Sequence, residues 1–152
     1  MNIMFAYDNS TNARQALDKT LKMFACMLPR VTLIGVVDPS AGSSGVNEEG
    51  YEEYKFDFSE SVREAAQTLN ELGVNADVII AEGDPRKMIL EAVNTKKPDL
   101  LVIARHSEKA DSNVIGKTLD ALVEEFNFMT FGNVSSFLTR RVKCPILIQS
   151  CV

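Results

Sequence analysis

The sequence is poor in the residues that build metal centres and disulfide scaffolds. It contains one histidine and three cysteines in 152 residues. The cysteines lack metal-ligand spacing, which argues against a tetrahedral metal site. Their odd number also argues against a disulfide framework. We therefore expect Cys26, Cys144 and Cys151 to be reduced thiols.

Long apolar runs and an excess of positive charge are also missing. No run approaches the ~18 residues needed to span a bilayer, which excludes a membrane-spanning helix. The first residues lack the basic region of a signal peptide, and Asp8 ends the first apolar stretch. We therefore expect a cytoplasmic location. Sixteen basic residues against 21 acidic ones give a net charge of −5, which argues against a nucleic-acid partner.

What is present is the composition of one folded domain. Apolar residues make up 45% and charged residues 24% of the chain. These fractions are ordinary for a globular protein. The length suits a single domain over residues 1–152, and no internal repeat is visible.

Short apolar strands alternate with amphipathic helices. We expect strands at 2–7, 31–38, 75–81, 98–104 and 144–150. Asp84 followed by Pro85 marks the start of one helix, and Gly73 marks the end of another. The first helix is expected to continue to Leu28, with Met23, Phe24 and Met27 in the core. The pattern predicts an α/β fold: a doubly wound, five-stranded parallel sheet of order 3-2-1-4-5 with helices on both faces.

A sheet of this order binds ligands at the carboxyl ends of its strands, where the strand order reverses. That rule selects the loops after the first and fourth strands. The last helix, opening at Gly132, is expected to point its free amides at the same crevice and to add Ser135 and Ser136 to an anion site. The side chains expected to meet in the two loops are Asp8, Asn9, Arg105, His106 and Ser107.

Four stretches together resemble the universal stress protein family. They span nearly the whole chain and comprise 3–10 with its Asp-x-Ser turn, 31–39, 82–85, and 132–135 followed by 143–148. The resemblance implies the fold described above and, for many members, binding of ATP or AMP with Mg²⁺. It also implies a homodimer that pairs its last strand, Ile146 to Ser150, with a second copy.

Many family members bind ATP through Gly-x2-Gly and a later Gly-Ser/Thr. Ala104 and Ser107 stand at the first two glycine positions here, while Gly132 keeps the third and is followed by Asn133. The segment between the two parts of the motif, 108–131, is longer here than in the family. Asp8 matches the first-strand aspartate, and Val36 matches the residue that meets the adenine. The candidate nucleotide contacts are Asp8, Asn9, Val36, Ala104, Arg105, Ser107, Gly132, Asn133 and Ser135.

The resemblance leaves two functions open. One is a nucleotide-binding stress-response protein that acts as a binder or switch, with at most slow ATP hydrolysis. The alternative is a dimeric stress-response scaffold without nucleotide, in which the segment 108–131 reshapes the pocket for a protein partner. The positions of Phe126, Phe128 and Phe131 distinguish the two, because these rings exclude nucleotide if they fill the crevice.

Enzymatic functions are less well supported by the motifs. Gly116-Lys-Thr118 ends like a P-loop, but Asp111 replaces the first glycine and the preceding segment is polar. The sequence also lacks Gly-x-Ser-x-Gly and the His-x-Gly-His of nucleotidyl transferases. A receiver domain is disfavoured because Asn9, not a second acid, follows Asp8. No catalytic residue is therefore assigned.

Overall fold

The computed structural model describes residues 1–42, 48–105 and 134–150. The strands and helices are β1 Asn2–Ala6, α1 Thr11–Phe24, β2 Arg30–Val37, α2 Glu48–Glu71, β3 Ala76–Glu82, α3 Pro85–Lys96, β4 Leu100–Ala104 and β5 Ile146–Gln149. Residues 134–139 are also helical and are called α4. Within these residues, no helix has the length and apolarity to cross a bilayer.

The five strands form one parallel sheet of order β3-β2-β1-β4-β5. β1 lies at its centre, where Ala6 is in register with Ile34 of β2 and with Ile103 of β4. The strands β1, β2 and β4 are apolar along nearly their full length, as strands covered on both faces must be. The predicted fold class and strand order are confirmed.

The side chains of each strand alternate between two apolar cores, one on each face of the sheet. Phe5 and Leu33 point to the face covered by α1 and α2, where they meet Leu17 and Val62. Met4, Ile34 and Leu101 point to the other face, where α3 and α4 supply Ile89, Val93 and Leu138. Helices therefore cover both faces, as expected from the alternating order of elements.

Local capping residues explain where several helices begin and end. The Ser10 hydroxyl accepts a hydrogen bond from the Ala13 amide at 3.1 Å and caps α1. The Asp84 carboxylate accepts one from the Arg86 amide at 2.9 Å, and Pro85 opens α3. Gly73, with φ of 83°, turns the chain after α2. The predicted start at Asp84–Pro85 and the predicted stop at Gly73 are correct.

The end of α1 differs from the prediction. The helix stops at Phe24, a short 3₁₀ turn follows, and Leu28 takes a left-handed conformation with φ of 44°. Leu28 is 87% exposed, and Met23 and Met27 are 60% and 57% exposed. The prediction that Met23 and Met27 enter the core and that the helix reaches Leu28 is therefore wrong. The apolar spacing continues to Leu28, but the helix ends at Phe24 and these side chains lie on the surface.

Candidate functional site

The loop between β1 and α1 is held by a local network of hydrogen bonds. Asp8 Oδ1 accepts from the Ser10 amide at 3.0 Å. Asn9 has φ of 61°, a left-handed conformation that asparagine tolerates better than most residues. Arg14 of α1 reaches back and donates to Asn9 Oδ1 through Nη2 at 2.9 Å and Nε at 3.2 Å. Ser10, and not Asp8, caps α1. The Asp8 side chain is exposed and therefore presents its other carboxylate oxygen to solvent.

Tyr7 ties the same loop to the core. Its side chain is buried, and its hydroxyl donates to Asn9 Oδ1 at 3.4 Å. Burial raises the pKa of the Tyr7 phenol, while the neighbouring Arg14 partly opposes the rise. The phenol therefore remains a neutral donor that orients Asn9.

The loops after β1 and β4 leave the sheet side by side. Ala6 of β1 is in register with Ile103 of β4. Asp8 and Arg105 each lie two residues beyond this aligned pair. The Arg105 amide donates to the Gln149 carbonyl at 2.8 Å, which extends the β4–β5 ladder to this point. The strand order thus places the two predicted loops at one edge of the sheet.

The other candidate residues are distributed around this edge. Val36 is half-buried near the end of β2 and packs with the core under α3. Ala104 ends β4 opposite Gln149, and Ser135 is half-buried in α4. The remaining candidates lie outside the described residues, as do the rings that distinguish the two functions and one cysteine: His106, Ser107, Gly132, Asn133, Phe126, Phe128, Phe131 and Cys151. Their roles stay predictions.

A cavity of about 330 Å³ adjoins the β1–α1 loop on the side facing α2. It is lined by Asp8, Asn9, Ser10, Tyr54, Asp57, Phe58 and Ser61. We call it the α2 cavity. It lies on the α1–α2 face, whereas Val36 and Ile103 pack on the opposite face. Asp8 therefore lines this cavity and also lies at the edge where β1 and β4 end.

Sequence reasoning missed the wall that α2 contributes. The four α2 residues of the cavity are spaced at positions i, i+3, i+4 and i+7 of the helix, which places them on one face. Two of these four residues are polar and two are aromatic. The adjacent face of the same helix is apolar. That mixed stripe is the signal that could have indicated a second recess. Its partner loop could not be inferred from spacing alone.

A charged cluster lies at the carboxyl end of β3. Glu82 accepts a hydrogen bond from the Tyr51 hydroxyl at 2.9 Å and forms an ion pair with Lys55 at 2.5 Å. The bond from Lys55 and then the bond from Tyr51 hold the pKa of Glu82 below its usual value. The same carboxylate raises the pKa of Lys55. These partners fix the outer part of α2 to β3 and leave Glu82 ionised.

An arginine of α3 contacts α4. The Arg86 side chain donates to both carboxylate oxygens of Asp84, and this contact lowers the pKa of Asp84. The Arg86 guanidinium also lies 5.9 Å from the centre of the Phe137 ring, and Arg141 lies 4.0 Å from it. The Arg86–Phe137 cation–π contact brings α4 to the amino end of α3, whereas the Arg141 contact is local to α4.

Two of the three cysteines are free thiols in the described part of the chain. Cys26 is exposed, and Cys144 is partly buried at the entry to β5. Burial raises the pKa of the Cys144 thiol, which disfavours the reactive thiolate at neutral pH. Neither cysteine therefore contributes to the candidate site.

The sequence is similar to that of a stress response protein. Over 95 residues the chain is 30% identical to the stress response protein NhaX of Bacillus subtilis, covering 62% of this chain and 48% of that protein. The chain thus spans about half the length of this curated relative.

Solved structures share the fold at low sequence identity. Universal stress protein UspA from Lactobacillus plantarum superposes with a TM-score of 0.67 and 17% identity, covering 98% of this chain and 97% of that one. A universal stress protein family protein from Arabidopsis thaliana with AMP bound gives 0.62 and 19%, covering 99% and 91%. The model of the universal stress protein family matches residues 1–149. The chain belongs to the universal stress protein family.

Proposed function

We propose that this stress-response protein binds an adenine nucleotide, ATP or AMP, at the edge where β1 and β4 end. The observation that carries the proposal is the placement of Asp8 and Arg105 at the ends of these neighbouring strands. Strand order reverses between β1 and β4, and ligands of doubly wound sheets bind at this position. The AMP in the Arabidopsis relative supports an adenine nucleotide as the ligand class.

The described residues have the chemistry that such a ligand needs. Asp8 offers a carboxylate oxygen to the hydroxyls of a ribose or the amino group of a base. Val36 offers a half-buried apolar surface to the base. The Arg105 guanidinium and the Ser135 hydroxyl can donate to phosphate oxygens. Mg²⁺ would arrive with the phosphates of ATP and offset their charge.

Binding, rather than turnover, is the proposed activity. The chain has a single histidine and no nucleophile motif that places a serine beside a general base. Acceleration of phosphoryl transfer needs positioned charges and an oriented nucleophile. We assign neither, so the proposed role is that of a cytoplasmic binder or switch with at most slow ATP hydrolysis.

Thermal unfolding with and without nucleotide tests this proposal. A ligand present at 100 times its Kd stabilises the native state by about 2.7 kcal/mol. For a chain of this size, that corresponds to a rise in Tm of roughly 5–10 °C. We expect this rise with ATP and Mg²⁺ or with AMP, and a smaller one for Asp8→Asn.

The matched control is Asp77→Asn, which removes the same charge from an exposed position on β3. It should keep the full nucleotide response. An unchanged Tm of the wild-type protein at millimolar ATP and AMP would refute the proposal. An equal loss in both aspartate variants would refute the role of Asp8.

We also propose that two copies pair through β5. β5 is an edge strand that forms its ladder with β4 alone among the described strands. It carries no charged residue from Ile146 to Gln149, and Ile148 is 45% exposed. An uncharged apolar edge favours pairing with another strand. With a two-fold axis at this edge, the same surface of each copy would form the interface.

Sedimentation at micromolar concentration tests the pairing. The wild-type chain is expected to sediment at twice the mass of one chain, and Ile148→Lys at the mass of one. Leu72→Lys is the control, because Leu72 is 75% exposed but follows α2 at a distance in sequence from the β5 edge. A monomeric wild-type protein, or a dimer that survives Ile148→Lys, would contradict the proposal.

A further inference from the structure

We infer that the α2 cavity binds a small organic cation, an ammonium or guanidinium group on a short alkyl stem. The inference does not rest on the proposed nucleotide site, because the cavity is walled by α2 on the opposite face of the sheet from Val36. Three features carry it: the charge of the lining, its two aromatic rings and its size.

The lining is negatively charged. Asp8 and Asp57 both line the cavity, and no lysine or arginine within residues 1–42, 48–105 and 134–150 does. The Asp57 side chain forms no hydrogen bond or ion pair with any residue that the structure describes, and Asp8 uses one oxygen to accept from the Ser10 amide. Arg14, the cation nearest this loop in sequence, is engaged with Asn9. Arg14 keeps its charge beside Asn9, so two carboxylates face one guanidinium in this region. The excess of negative charge favours a cation and disfavours phosphate.

Two rings and two hydroxyls complement this charge. The Tyr54 and Phe58 rings lie 6.2 Å apart between centres and are inclined by 31°. A cation near such faces gains electrostatic attraction, and the alkyl stem gains apolar contact. Ser10 Oγ accepts from Ala13, and Ser61 Oγ donates to the Phe58 carbonyl. Both oxygens retain acceptor capacity for N–H groups.

The volume suits a small molecule. About 330 Å³ lies at the lower end of the range for small-molecule sites. A chain of four or five carbons with an amine at each end, or with one guanidine, fits this space. Such a ligand can place a cationic end beside one of the two carboxylates and its stem along the rings.

Calorimetric titration of the full chain at low salt tests the inference. The probes are 1,4-diaminobutane and agmatine, with 1,4-butanediol as the uncharged control of the same length. We expect saturable binding of both cations and at least tenfold weaker binding of the diol. Added salt should weaken binding of the cations, because the lining is open to solvent. Equal affinity for the diol, or no saturation at about 10 mM cation, would overturn the inference.

Two charge variants of α2 locate the site. Asp57→Asn is expected to weaken cation binding about fivefold, in line with the loss of one exposed charge contact. Glu64→Gln removes the same charge from an exposed position on the same helix that does not line the cavity, and should leave affinity unchanged. Asp57 is not one of the proposed nucleotide contacts, so the Tm response to ATP should persist in Asp57→Asn. Equal affinities of the Asp57→Asn and wild-type proteins would overturn the assignment.

Discussion

Replacing Phe5 with alanine is expected to lower the free energy of unfolding by about 4 kcal/mol. Phe5 lies on the central strand, has no exposed surface and packs in the core beneath α1 and α2. Its ring centre lies 6.3 Å from that of Tyr7, which in turn holds Asn9. Parallel strands on both sides of β1 prevent the backbone from closing the space left by the ring. Much of the cost of the cavity is therefore retained.

Urea denaturation and thermal unfolding measure this effect. The Tm is expected to fall by roughly 8–16 °C for a chain of this length. Phe56→Ala is the matched control, because the Phe56 ring on α2 is 65% exposed and should change stability by only about 0.5 kcal/mol. Losses of similar size in both variants would contradict the core described around β1.

The strand order and both cores could be predicted because the relevant signals are local. Buried parallel strands are apolar on both faces, so β2 and β4 are visible as continuous apolar runs. Asp84 and Pro85 mark a helix start through the chemistry of two adjacent residues. The alternating order of strands and helices then leaves few topologies, and the resemblance to a family selects one.

The end of α1 could not be predicted because it depends on the rest of the fold. Apolar spacing continues through Leu28, but the helix ends at Phe24 and Leu28 is exposed. Sequence periodicity reports which side chains share a helix face, and it carries no information on where the opposing surface stops. The left-handed turn at Leu28, from which the chain enters Pro29 and β2, is a tertiary requirement.

The candidate site also has a part that could be predicted from the sequence and a part that could not. Asp8 and Arg105 could be placed at one edge because chain position and strand order determine it. The α2 cavity could not be found, because it requires the docking of a helix face against a loop distant in sequence. That docking depends on how closely α2 approaches the sheet, and Gly35 sets this distance.

Replacing Gly35 with alanine is expected to lower the free energy of unfolding by about 2 kcal/mol through overpacking. A Cβ at Gly35 would lie 2.9 Å from Val62 Cγ2 and 3.0 Å from Phe58 Cε1. Val62 is fully buried, so neither it nor the backbone of α2 has room to move without loss of packing. Because Phe58 also lines the α2 cavity, we expect weaker binding of 1,4-diaminobutane in the same variant.

Three further variants separate steric strain from a general effect of the substitution. Gly50→Ala makes the same change inside α2, and stability should hold or rise slightly because alanine favours helix. Combining Gly35→Ala with Val62→Ala removes the 2.9 Å contact, so the double variant should be more stable than the sum of the two single losses. Urea denaturation of all four variants measures the coupling. Strict additivity, or an unchanged stability in Gly35→Ala, would show that the close approach of α2 to β2 does not depend on the missing side chain.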